Sequence, residues 1–144
     1  MKLQKKSKAQ AFIMAIMIMF TVFTIIFLKT DININHRNIE YIKSFGWEVD
    51  NKPVDKMSIS LPSSSDSIFS AYCKTMEPLF DLSQFSGKRV LRYSYKVKNH
   101  IESSSNMIRI NILIYEENII SADISSLMEN GFILPIDNTS GIIQ

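Results

Sequence analysis

Apolar residues are spaced unevenly along this chain, and the spacing changes character from one segment to the next. Residues 11–28, AFIMAIMIMFTVFTIIFL, contain no charge, no Gly and no Pro, so they lack the polar side that a helix of a soluble core shows every third or fourth position. Eleven of these eighteen are Ile, Leu, Phe or Val, and at about 0.3–0.6 kcal/mol each they favour insertion by about 3–7 kcal/mol. The run predicts a transmembrane signal-anchor. No small-x-small cleavage pattern follows it in TIIFLKTDI. Lys2, Lys5, Lys6 and Lys8 precede the run without an acid, and only Lys29 follows before Asp31. By the positive-inside rule residues 1–10 form a cytoplasmic basic flank and everything downstream is extracytoplasmic. The expected protein crosses the cell membrane once, N-terminus inside.

After a linker at residues 29–35 the pattern becomes helical. Residues 36–45 place Ile39, Ile42 and Phe45 on one side, with Asn35 as cap and Gly46 as the left-handed stop. WEV and KMSISLP read as short strands, the second alternating Met57, Ile59 and Leu61 against serines. The serines at 63–65 cap a second helix over residues 66–76, whose stripe is Ile68, Phe69, Tyr72 and Met76, and Pro78 ends it. GKRVLRYSYKVKN and MIRINILIYEENIISADIS then alternate with period two, as half-buried strands do. The fold class is α+β: an N-terminal transmembrane helix, then a small, mainly antiparallel sheet with two helices packed on one face. The domain spans residues 36–136, and residues 137–144 form a flexible tail.

Parity narrows the register, because a slip of one residue sends every isoleucine to the other face. A turn at residues 116–118, with Asn118 left-handed, sets Tyr115 opposite Ile119 and Ile114 opposite Ile120. Ile112 then faces Ala122 and Ile110 faces Ile124, while Val97, Tyr95 and Tyr93 meet Ile108, Ile110 and Ile112. The same register gathers Arg92, Ser94, Lys96, Arg109, Asn111 and Asp123 on the outer face, within about 5 Å of cross-strand neighbours. Those six residues are the candidate binding patch. In it the three cations attract phosphate or carboxylate groups and Asn111 and Asp123 orient them. The competing explanation is the ordinary solvated side of an antiparallel sheet.

Charge changes the picture in one respect. All fourteen acids follow Lys29, beyond which only eleven Lys and Arg remain, so that part carries about −3 although the whole chain is +2. That balance gives no support to a nucleic-acid partner. The single Cys73 makes no internal disulfide and reads as a small buried apolar residue beside Phe69, Tyr72 and Met76. His36 and His100 stand alone, without metal-ligand spacing, and both read as solvated. No catalytic motif, metal site or cofactor loop is found.

The segments FGWEV, DLSQFSGKRVLRYSYKVKN and INILIYEENIISADISSL, with the closing NGF, resemble the bacterial domain of unknown function 4830 family over residues 38–136. Ala122, where family members often carry Gly, and the Ser-rich loop before Met107 depart from its pattern. The resemblance implies a bacterial, exported or membrane-anchored setting and brings no activity with it. The expected function is therefore a non-enzymatic binding or regulatory module. Its expected partners are the membrane, through the N-terminal helix, and an envelope protein, wall polymer or lipid head group. The alternatives are an envelope hydrolase or transferase, in which Asp123 would need a raised pKa inside a cleft, and a structural subunit of an envelope complex.

Overall fold

The structure, a computed structural model, describes the backbone of residues 2–143 and the side-chain surroundings of residues 12–26 and 32–143. In chain order the elements are α1 (Lys2–Lys43), β1 (Asp55–Ser60), α2 (Ser67–Met76), β2 (Arg89–Lys96), β3 (Ile108–Tyr115), β4 (Asn118–Ser126) and β5 (Ile133–Pro135). The strands form one antiparallel sheet in the order β1-β2-β3-β4-β5. Two compact units divide the chain, Met1–His36 and Arg37–Gln144. Every buried apolar residue among the described ones lies in the second, the first of them Ile39 and the last Ile136.

Residues 29–35, expected as a linker, are helical. No Gly or Pro interrupts residues 2–43, so nothing local breaks the ladder there. Thr21 and Thr24 return their hydroxyls to the carbonyls of Ile18 and Phe20, at 2.8 and 2.7 Å. The helix stops where Gly46, at φ +84°, donates its N–H to Lys43 O.

The expected membrane anchor is not upheld. Among the described residues no helix is long and apolar enough to cross a membrane. With the anchor go the single-pass location in the cell membrane, the cytoplasmic N-terminus and the extracytoplasmic placement of the domain. The basic flank and Lys29, which carried the orientation, lie outside the residues whose side chains are described.

The sheet follows the expected register through its middle. Tyr93 faces Ile112, Tyr95 faces Ile110, Ile112 faces Ala122 and Ile110 faces Ile124. It departs at the β3–β4 turn, which has two residues rather than three: Tyr115 pairs with Asn118, and Glu116 and Glu117 take the left-handed φ values of 46° and 67°. A shift between Leu113 and Ile114 then brings Ile114 opposite Ile119. That extra residue sends Ile120 to the outer face, where it packs in a cluster with Leu113.

Both faces of the sheet are covered, so the expectation of two helices on one face is corrected. The inner face carries the fully buried Tyr95, Ile110, Ile112 and Ala122. The last turns of α1 reach it, Asn38 Nδ2 donating to Tyr95 OH at 3.2 Å. On the outer face α2 sets Phe69 and Met76 against Val90, Leu113 and Ile120. Val90 and Leu113 are the physical reason: both are apolar at outward positions, and both would face water without α2.

The chain after β5 is tied down at residues 139–143, not free as expected for the tail. Ile101 N–H donates to Gly141 O at 2.9 Å and Ile143 N–H to Asn99 O at 2.8 Å. His100, expected in solvent, is buried between Trp47 and Phe132, with Nδ1 accepting from Glu102 N–H at 3.1 Å. Gly141 packs so closely on that imidazole that a Cβ would find no room.

Candidate binding cleft

The site is built on the outer face, where α2 covers one end of the sheet and leaves a cleft at its N-terminal end. Asp66 starts α2: its extended backbone and its carboxylate, accepting Phe69 N–H at 2.8 Å, fix where the helix begins. From there Ile68 and Phe69 form one wall, Ile59, Leu61 and Pro62 the other, and the floor is Arg92, Asn111, Leu113 and Asp123. The cleft holds about 450 Å³ and reaches Ile133 of β5, a size ordinary for a small-molecule or peptide site. Ile68, expected in the core-facing stripe of α2, is instead 81% exposed at the mouth.

The polar floor is a chain of hydrogen bonds running across three strands. Ser94 Oγ donates to Asn111 Oδ1 at 2.7 Å, and Asn111 Nδ2 donates to Asp123 Oδ1 at 2.8 Å and to Ser125 Oγ at 3.0 Å. From α2, Tyr72 O–H donates to Asp123 Oδ2 at 2.8 Å and lies 3.3 Å from Ser121 Oγ. Asp123 is buried, its two carboxylate oxygens accept from Asn111 and Tyr72, and Ser125 is a further neutral neighbour. Burial pushes its pKa up; the hydrogen bonds from Asn111 and Tyr72, and the charge of Arg92, act in the opposite direction without cancelling it. Tyr72 is held protonated by its own burial and by the nearby carboxylate.

Arg92 stands towards the other end of the floor. Its Nη2 makes an ion pair with Asp55 at 3.0 Å and reaches Met57 Sδ at 3.2 Å, while its Nε is buried without a partner. The remaining two cations of the expected patch are elsewhere. Arg109 turns its guanidinium to the carbonyls of Asn106 and Ile108, at 2.8 and 3.0 Å. Lys96, paired with Arg109 across the strands, does not line the cleft. Of the six candidate residues, then, Arg92, Asn111 and Asp123 line the cleft, Ser94 supports Asn111 from behind, and Lys96 and Arg109 lie outside it.

Tyr72 was legible only as part of a helical stripe, and its role at Asp123 was missed. One signal was available: Val90 and Leu113 interrupt the polar alternation of the outer face, which marks that end as covered. Cys73, beside Tyr72, is half-buried against the same cluster, and burial raises its thiol pKa. Among the described residues no group of His, Cys, Asp and Glu could hold a metal ion. Compared with family models, curated proteins and solved structures, the chain matches none.

Proposed function

We propose that Arg37–Gln144 is a ligand-binding module and that its ligand enters the cleft between α2 and the outer face of the sheet. One observation carries this reading: Arg92, Asn111 and Asp123, polar groups from three strands, converge on the floor of a concavity whose walls are apolar. Membership of the domain of unknown function 4830 family belongs to the same proposal and supplies no activity. A peptide or small apolar ligand fits better than a wall polymer or lipid head group. A polyanion needs a row of cations, and of Arg92, Lys96 and Arg109 only the first lines the cleft, already paired with Asp55.

The test is entry of a neutral apolar dye, Nile red, into the purified chain. Ile68→Glu puts a charge at the mouth on a side chain that is 81% exposed, so the dye's fluorescence gain is expected to fall severalfold with the melting temperature unchanged. An equal gain in this variant rejects the cleft as the binding site. A second reading, a hydrolase or transferase using Asp123 as general acid, is favoured by the raised pKa of a buried carboxyl in a cleft. It requires turnover that Asp123→Asn abolishes.

A further inference from the structure

The cleft is electrically polar along its length, and the arrangement of its two charged groups narrows what it takes. Arg92 pairs with Leu113 on β3, Leu113 pairs with Ser121 on β4, and Asp123 lies two residues further along β4. Two strand spacings of about 4.8 Å and two residue rises of about 3.3 Å separate the Cα atoms of Arg92 and Asp123 by about 12 Å. Arg92 leans to the β1 side, towards Asp55 and Met57. Asp123 lies on the other side, gripped by Tyr72. Between them the walls are Ile59, Leu61, Phe69 and Leu113.

The donor and acceptor inventory at the two ends is complementary rather than alike. The Arg92 guanidinium has five N–H donors, and only Nη2 is engaged by Asp55 and Met57. Asp123 has the opposite character: it only accepts, and the groups that meet it, Asn111, Tyr72 and Ser125, are all neutral. Among the described residues no cation stands within ion-pair distance of it: Arg92, the one cation on the floor, is paired to Asp55 and acts on Asp123 only from further off. Asp66, the other carboxylate on the wall, is exposed and committed through Oδ1 to Phe69 N–H.

From this geometry we infer that the cleft binds a short apolar peptide with both termini free, its carboxylate at Arg92 and its ammonium at Asp123. The inference rests on the proposed binding function and names the ligand class. A tripeptide matches the span, because three extended residues cover about 10 Å. Its ammonium supplies the positive charge that buried Asp123 lacks, and its carboxylate meets the uncommitted edge of Arg92. Its side chains displace water from the apolar walls. Each terminus makes a charge-assisted hydrogen bond, a class about twice as strong as its neutral counterpart.

The experiment is calorimetric titration of the full chain with trileucine, N-acetyl-trileucine and trileucine amide, with Nile red entry measured in parallel. Trileucine is expected to bind, and acetylation or amidation is each expected to weaken binding about tenfold or more. In Arg92→Gln the penalty for amidation disappears and that for acetylation stays; in Asp123→Asn the pattern reverses. The three peptides on the native chain decide the question without any variant, so a variant that folds poorly leaves the result standing. Capped peptides binding as tightly as trileucine overturn the inference, as does Nile red entry without trileucine binding. If neither dye nor peptide enters, the binding function itself is lost along with it.

Discussion

Asp123 is a carboxyl buried among neutral hydrogen-bond donors, and the consequence is a pH dependence with a definite sign. Its carboxyl loses a proton less readily in the folded chain than in the unfolded one, whose value is near 3.8. Between those two pKa values the native state binds more protons, so stability falls as pH rises through the window. Chemical denaturation at a series of pH values from that point upwards should show the decline, and Asp123→Asn should flatten it. An undiminished slope in the variant would assign the effect to another group. The substitution keeps the geometry, because the amide oxygen still accepts from Asn111 and the amide nitrogen donates to Tyr72. Parity along β3 and β4 placed Asp123 opposite Asn111 correctly. It gave no indication that a tyrosine from α2 would meet the same carboxylate, because Tyr72 reaches it across 51 positions of sequence.

At the scale of elements, the β3–β4 hairpin shows how a local detail redirects side chains. Glu116 and Glu117 both adopt left-handed backbone, as a two-residue turn joining right-twisted strands demands, although Gly or Asn usually fills such positions. A left-handed non-glycine residue costs about 1–2 kcal/mol. Glu117→Gly is accordingly expected to raise unfolding free energy by about 1 kcal/mol, read from the denaturation midpoint at unchanged slope. No gain, or a loss, would mean that Glu117's side chain contributes more than its backbone strain costs. The same hairpin explains the misplacement of Ile120. The alternation of isoleucines is compatible with a three-residue turn or with a two-residue turn followed by a bulge, and only the second sends Ile120 to the outer cluster beneath α2. Asp66 and Pro78 bracket α2 and Gly46 stops α1 as their sequence signals require, whereas WEV, expected as a strand, makes only the isolated bridge of Val49 with Val97.

At the scale of the whole molecule, the buried core lies within Arg37–Gln144. A fragment of residues 33–144, which keeps the last turns of α1 with Asn38, Ile39 and Ile42, is expected to unfold in a single cooperative thermal transition with native-like aromatic circular dichroism. A broad transition without that signal would show that the core depends on residues before 33. Periodicity by itself determined β1 to β4, the central register of β2, β3 and β4 and the gathering of Arg92, Asn111 and Asp123 on one face. Each of those is a matter of parity, which a residue carries with it along its own strand. Where α2 comes to rest, and hence whether that face is open to water or walled into a cleft, depends on contacts between distant parts of the chain, so only the tertiary structure decided it. The burial of His100 has the same origin, since Trp47, Phe132 and Gly141 reach it from three separate segments. The apolar run near the start marks the opposite limit: composition identified an apolar helix there, and among the described residues no helix is long and apolar enough to cross a membrane.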